Sequence, residues 1–300
     1  MDIFLTRLFS GMTSGAVYAM IAITLVVVYR SSKTINFAQG EFALFTTYLA
    51  WWLSTSAGVA AWLTVPLVIV CGFAMGASAE RFLIRPVSRR SEMGVLIVCL
   101  ALFTSLNGLD GLLWGSDNKT VESLLPSGPD DYLEIAGARL QHDTIGMLIL
   151  LALIVAVVLA ILNRTSFGLQ MRAVASQPES SSLSGVRVGR VLMGSWGLAA
   201  AIGSIAGLVL TPVLPPNALS LNTMFVVLIY GSAAALLGGL DSIKGAVVGG
   251  LALGVAQAMI AGYLGATGGE LKLTLAMLTI VAVLVIRPSG LFGSKEVERV

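Results

Sequence analysis

The chain has 300 residues, of which 56% are hydrophobic and 11% charged, with a mean hydropathy of +0.90 and a formal net charge of +2. About a quarter of the residues of a soluble domain are charged, so this composition excludes an ordinary soluble protein and indicates a polytopic membrane protein. Apolar runs of about 20 residues recur from end to end without a long polar stretch to fold separately, and a single transmembrane domain over residues 1–300 is the simplest organisation.

The hydropathy pattern predicts an all-α fold with spans at roughly 8–29, 37–57, 59–79, 93–114, 144–162, 189–213, 222–240, 245–263 and 271–287, that is, about nine transmembrane helices with discontinuous elements. The first segment is expected to remain as a span rather than act as a signal peptide: its apolar run exceeds an h-region, it lacks a clear small-residue cleavage site, and more positive charge follows it than precedes it. One set of alternate connections, with the C-terminal tail, carries Arg30, Lys33, Arg81, Arg85, Arg89, Arg90, Arg164, Arg172, Arg187, Arg190, Lys244, Arg287, Lys295 and Arg299. The other set, with the N-terminus, carries Arg7, Lys119, Arg139 and Lys272. This 14 to 4 division of the 18 basic residues places the N-terminus outside and the C-terminus inside, which requires an odd number of spans.

After the first span, Ile35-Asn36-Phe37-Ala38-Gln39-Gly40-Glu41-Phe42 interrupts the apolar pattern with polar residues and a glycine. Lipid tolerates such a break only where protein or a water-filled path surrounds it. Asn36 is expected to cap a helix whose third residue, Gln39, reaches back in a capping-box-like pair, with Glu41 in the first turn. A helix that starts inside protein at membrane depth also lines a path, so Asn36, Gln39 and Glu41 are candidate pathway residues. A second interruption, Leu237-Gly238-Gly239-Leu240-Asp241-Ser242-Ile243-Lys244-Gly245, lies in the other half of the chain. It reads either as a tight turn between spans or as the counterpart of the first break in a repeat-built pathway.

Glycine pairs at four-residue spacing, Gly11/Gly15, Gly72/Gly76, Gly111/Gly115, Gly203/Gly207, Gly245/Gly249 and Gly250/Gly254, allow close backbone approach and are read first as ordinary helix packing. Cys71 and Cys99 lie in apolar spans as small hydrophobic residues, and His142, the sole histidine, sits at a loop edge. The outer connection from Gly115 to Asp143 is acidic, with Asp117, Glu122, Asp130, Asp131, Glu134 and Asp143 against Lys119 and Arg139. The longest cytoplasmic connection, Asn163 to Arg190, surrounds a polar stretch with arginines, and Pro178 with Glu179 suits the start of a short helix. Such a helix offers a surface to a cytoplasmic partner, while the arginines alone also fix topology and meet anionic lipid.

The sequence holds no phosphate loop, no dinucleotide fingerprint and no metal-spaced cluster of His, Cys or carboxylates, so neither catalytic residues, a metal nor a cofactor is expected. Only Glu41 and Asp110 are acidic residues placed within spans, which argues against an ion-coupled carboxylate relay.

Gly15-Ala16-Val17-Tyr18-Ala19-Met20 followed by residues 35–42 resembles the permease subunits of branched-chain amino-acid ABC importers, specifically the shorter, H-type (LivH-like) subunit. Further matches follow in order: Trp114-Gly115-Ser116-Asp117, Arg164-Thr165-Ser166-Phe167-Gly168, Met171-Arg172-Ala173, Pro178-Glu179, Leu183-Ser184-Gly185-Val186, Leu237-Gly238-Gly239, Gly245-Ala246-Val247-Val248-Gly249 and Arg287-Pro288-Ser289-Gly290-Leu291-Phe292-Gly293. The commonest family form carries His where this chain has Gln39, which keeps hydrogen bonding but removes a titratable group. The triple serine at Ser180 to Ser182 replaces a more alanine-rich stretch.

The resemblance implies a bacterial inner-membrane importer with two permease chains, two cytoplasmic ATP-binding subunits and an extracytoplasmic solute-binding protein, and no nucleic-acid partner. It assigns the pathway to Asn36, Gln39, Gly40 and Glu41, and ATPase coupling to Arg164, Gly168, Arg172, Glu179 and Gly185 within about 163–190. ATP hydrolysis is then expected on another chain, so this chain is not itself an enzyme. The alternatives are a member of the same superfamily importing urea or another small polar solute, an ion-coupled secondary transporter, and a membrane scaffold without flux. A pathway lined by amides, small residues and helix ends, without buried countercharges, suits an apolar amino acid.

Overall fold

A computed structural model of the chain describes residues 2–88, 90–121, 123–125, 128, 131–135, 137–211 and 218–293; Arg89, Glu122, Asp130, Lys295 and Arg299, named above, lie outside them. The elements in order are α1 (Asp2–Ser32), α2 (Gln39–Thr55), α3 (Ala61–Ala79), a π-helical turn (Glu80–Ile84), α4 (Arg85–Ser88), α5 (Glu92–Trp114), β1 (Lys119–Thr120), β2 (Tyr132–Ile135), β3 (Ala138–Gln141), α6 (His142–Arg164), α7 (Ser166–Ser176), α8 (Pro178–Leu183), α9 (Val188–Leu210), β4 (Ala218–Leu219), α10 (Thr223–Gly238), α11 (Ile243–Tyr263) and α12 (Gly265–Ile286). Among the described residues, six helices are long and apolar enough to cross a membrane: Phe4–Ser32, Ala61–Ser88, Met93–Trp114, His142–Arg164, Val188–Leu210 and Ile243–Tyr263. Thr223–Gly238 and Leu271–Ile286 are apolar but shorter, and α2 has 17 residues.

The expected outer loop contains short strands. β2 and β3 form an antiparallel hairpin with Tyr132 opposite Gln141, and β1 pairs with β4 through Lys119 opposite Leu219. Their hydropathy signal is weak because two to four residues make too short a window for a period-two pattern to emerge.

The chain divides into two compact units. The first comprises Met1–Val26, Leu125–Leu153 and Ile229–Val300. Its packing rests on the absence of side chains: a Cβ on Gly11 would lie 2.6 Å from Val255 Cα, one on Gly15 2.8 Å from Leu251 Cα, and one on Gly250 2.5 Å from Ala19 N. The glycine faces of α1 and α11 therefore meet backbone to backbone, an arrangement that suits a solvent as apolar as the side chains themselves. Tyr18 donates to Gln257 Oε1 at 2.9 Å, and Gln257 Nε2 donates to the Lys272 carbonyl at 3.0 Å. The second polar interruption is a tight turn. α10 ends at Gly238, Gly239 adopts φ +104°, and the Ser242 hydroxyl caps α11 by accepting from Gly245 N at 3.0 Å. The C-terminal segment binds this turn, with Leu291 N donating to Leu237 O at 2.8 Å and Phe292 N to Gly238 O at 3.0 Å.

The second unit comprises Val27–Leu124 and Ile154–Leu228. Here Gly72 and Gly76 of α3 lie against Ser204, Ala200 and Trp196 of α9, while Gly207 of α9 lies against Thr47 and the Ala43 carbonyl of α2. Ala50, Val68 and Leu208 form a buried cluster between the same three helices. Gly111 and Gly115 differ from the other pairs: Gly115 ends α5 at φ +80°, with nothing within 4 Å of a Cβ, so it serves as a C-cap rather than a packing surface. The outward faces of α3 and α5 expose Val70, Ile97 and Leu112, which a hydrocarbon solvent accommodates without penalty.

Replacing Gly250 by valine is expected to destabilise the protein by about 1–3 kcal/mol or more, because the added carbons overlap the α1 backbone. Gly269→Ala, where a Cβ meets nothing within 4 Å, is the matched control. Melting temperatures in detergent check both, with a clear fall in the first variant and none in the second.

Candidate functional site

Between α1 and α2 the chain leaves helical geometry at Lys33, which has φ +57°. The Asn36 side chain then organises the turn: its Oδ1 accepts from Ala38 N at 3.0 Å and its Nδ2 donates to Gln39 Oε1 at 3.2 Å. Gln39 Nε2 in turn donates to the Ala199 carbonyl of α9 at 3.0 Å. The expected capping box is therefore corrected. α2 begins at Gln39 with Ala38 in the N-cap position and no side-chain cap, and Asn36 caps the preceding turn instead. An Asx-type turn to residue i+2 competes directly with a helix cap for the same amide oxygen.

The contacts of this segment described next lie within the second unit. Gly203 of α9 leaves room for Gln39, since a Cβ there would lie 2.8 Å from Gln39 Nε2. Gly40 lies under α10, where a Cβ would meet the Met224 carbonyl at 3.0 Å and Leu228 Cβ at 3.3 Å. Glu41 Oε2 accepts from Asn107 Nδ2 of α5 at 3.2 Å, and the same Nδ2 donates to the Leu221 carbonyl at 2.8 Å. Asn36, Gln39 and Glu41 are each 0% exposed. Asn36, Gln39, Gly40 and Glu41 are thus brought together, enclosed by α5, α9 and α10.

Sequence reasoning passed over Asn107 and Tyr48. Asn107 precedes Asp110 by three residues, and this polar pair on one face of an otherwise apolar helix was the available signal. Further along the same contact, the Tyr48 ring stacks on Trp114 at 5.5 Å and 5°, and Phe45 meets Trp114 edge-on at 5.2 Å.

The cytoplasmic candidates occupy α7, α8 and the loop that follows. The Thr165 hydroxyl caps α7 by accepting from Gly168 N at 3.3 Å. A Cβ on buried Gly168 would lie 2.5 Å from Leu162 Cα, so only glycine permits the α6–α7 bend. Met171 and Val174 anchor α7 through its buried face, while Arg164, Arg172 and Glu179 are exposed. Pro178 occupies the first turn of α8, as the sequence indicated. Exposed Gly185 takes φ +83° and turns the chain into α9, and Leu183 beside it is 91% exposed. A cavity of about 450 Å³ opens here, lined by Arg85, Ser182, Gly185, Val186, Arg187, Val188, Gly189 and Arg190. Arg85 pairs with buried Glu80 at 2.5 Å and donates to the Gly189 carbonyl at 2.5 Å, fixing this loop to the end of α3.

The family model for the permease component of the branched-chain amino acid transport system matches residues 7–286. The high-affinity branched-chain amino acid transport system permease protein BraD of Pseudomonas aeruginosa is 29% identical over 306 residues, covering 99% of this chain and 98% of that protein. LivH of Escherichia coli, described in the same words, is 29% identical over 309 residues, covering 99% and 98%. A probable branched-chain amino acid transport permease protein LivH of Methanocaldococcus jannaschii is 25% identical over 285 residues, covering 91% and 88%. With a family match over nearly its whole length, the chain belongs to the branched-chain amino acid transport system permease family.

Proposed function

We propose that this chain is one permease subunit of an ATP-driven ABC importer of branched-chain amino acids in the bacterial inner membrane. The observation that carries the reading is the family match from residue 7 to 286. The working assembly holds a second permease chain, two cytoplasmic ATP-binding subunits and an extracytoplasmic solute-binding protein within the lipid bilayer. Hydrolysis belongs to the ATP-binding subunits, so this chain transports without a nucleotide site of its own.

In this reading the chain crosses the bilayer nine times, with the N-terminus outside and the C-terminus inside. The 14 to 4 division of basic residues supports that orientation. The spans are α1, α2, α3 with its π turn, α5, α6, α9, α10, α11 and α12, while α7 and α8 lie on the cytoplasmic side.

Asn36, Gln39, Gly40 and Glu41 line the path. Their hydrogen bonds run through side chains and one carbonyl of α9 rather than through a continuous helix ladder, so a small relative shift of α2 and α9 exchanges partners without stranding a polar group. Arg164, Gly168, Arg172, Glu179 and Gly185 form the coupling surface. The exposed leucine at 183 supports this assignment, since an apolar side chain at the cytoplasmic end of a helix bundle is suited to burial against a protein partner.

Replacing Asn36 or Gln39 by alanine strands buried hydrogen-bonding groups and is expected to cut ATP-driven leucine uptake roughly tenfold. Uptake in proteoliposomes, normalised to protein level, checks this; wild-type rates in both variants would remove these residues from the path. For the coupling surface, Leu183→Asp and Gly168→Val should each reduce copurification of the ATP-binding subunit by about tenfold while the permease remains in the membrane. Pull-down through a tag on the permease measures it. Topology is checked by single cysteines introduced at Lys33 and at Lys119 in a chain with Cys71 and Cys99 replaced by alanine: an impermeant maleimide added outside should label only the one at 119.

A further inference from the structure

Glu41 and Asp110 are both 0% exposed within the second unit, yet Glu41 Oε1 and both Asp110 carboxylate oxygens have no hydrogen-bond partner among the described residues. The hydroxyl of Tyr48, also 0% exposed, has none either. Their placement follows from two helix faces in contact. On α2, Glu41 and Tyr48 are seven residues apart, and on α5, Asn107, Asp110 and Trp114 follow at spacings of three and four, so each set lies on one side of its helix. Asn107 donates to Glu41 at one end and Trp114 stacks on Tyr48 at the other, which fixes Asp110 in between. Asp110 interacts electrostatically with Glu41, and Tyr48 with both.

Two ionised carboxylates held in an apolar interior carry a large desolvation cost, which a proton or a joining positive charge relieves. Among the described residues, α2, α5 and α10 contain no Lys, Arg or His, and Lys119, over the Trp51 ring, makes no ion pair with either carboxylate. Three unpartnered carboxylate oxygens match the three N–H donors of an alkylammonium group, with the Tyr48 hydroxyl as a fourth acceptor. The stacked pair of Tyr48 and Trp114 adds aromatic faces on which a cation is favoured.

We propose that Glu41 and Asp110, closed by Asn107 and Tyr48, form an intramembrane cation site that receives the ammonium group of the transported amino acid. This rests on the amino-acid import reading above and adds to it a buried countercharge that the sequence argued against. Asp110 and Tyr48 become substrate-contacting residues, and Asn107 is a positioning residue that holds one Glu41 oxygen so that the other stays free. The enclosure of the site means that substrate reaches it only when α2 and α5 separate, which places the site at the step where the pathway opens.

The test uses the complete importer in proteoliposomes, with uptake of radiolabelled leucine expressed per ATP hydrolysed and per assembled complex. Glu41→Gln and Asp110→Asn keep shape and remove charge, and each should lower leucine uptake per ATP by roughly tenfold or more, as loss of a charge-assisted hydrogen bond predicts. Asp110→Glu, which restores the charge, should recover most of it. Unchanged uptake per ATP in both neutral variants overturns the site, as does loss of the assembled complex in both, which would make the pair purely structural. Replacing sodium and potassium by choline separates the two sources of a cation: wild-type uptake that persists supports the ammonium assignment, and uptake that collapses assigns the site to an alkali ion and overturns it. A wild-type importer that takes up no leucine, isoleucine or valine with ATP refutes the import reading itself, and the ammonium assignment falls with it.

Discussion

In hydrocarbon a polar group has no water to turn to, so each must find its partner within the chain. The amides of Asn36 and Gln39 satisfy this constraint in short steps: Asn36 holds the turn at Ala38 and reaches Gln39, and Gln39 reaches α9. Each link is an amide that accepts at its oxygen and donates from its nitrogen, so one side chain bridges two separated partners, which the single atom of a hydroxyl or the acceptor-only carboxylate does not. Remove one amide and two groups lose their partner at once, a cost of about 1–3 kcal/mol for each buried group. The start of α2, and with it the placement of Gly40 under α10, depends on this chain of amides.

Packing within each unit answers a different demand. Where lipid is as apolar as leucine, helices gain little from burying leucine against leucine and more from bringing backbones close. In the first unit this is done by Gly11 and Gly15 against Gly250 and Gly254, and in the second by Gly72 and Gly76 against the α9 backbone at Trp196. The small residues on α9 serve two neighbours, since Ala200 receives Gly76 while Gly203 and Gly207 admit Gln39 and Thr47. One helix thereby connects the packing of α3 to the polar start of α2.

Much of this was legible beforehand. The apolar runs mark the long helices because their hydropathy extends over about 20 residues, and the four-residue glycine spacing marks the contact faces of α1, α3 and α11 because it repeats one helical turn. Pro178 marks the start of α8 because its missing N–H and fixed φ suit a first turn. The remainder depends on tertiary contact. Whether Asn36 caps a helix or a turn is decided by where Gln39 finds a carbonyl on α9, more than a hundred residues away. Gly111 and Gly115 have the right spacing but the wrong place, at the end of α5. The site at Glu41 was half visible: its own segment stood out, while Asn107 and Tyr48 gained meaning only when α5 was laid against α2.

The π turn at Glu80–Ile84 places Arg85 where its backbone N–H meets the Glu80 carbonyl five residues back and its guanidinium meets the Glu80 carboxylate. The turn carries one residue more than an α-helical turn and still brings Glu80 and Arg85 to one face. Deleting one of the four residues between Glu80 and Arg85 would return the segment to α-helix with the pair four positions apart, the spacing at which side chains on a helix also meet. Arg85 would still face Glu80, and its tie to the Gly189 carbonyl, which holds the α8–α9 loop to α3, would keep its direction. The wide turn therefore absorbs a difference in chain length: a single-residue deletion, usually tolerated only in surface loops, would here leave the facing of the cytoplasmic end of a membrane helix unchanged along with its hydropathy.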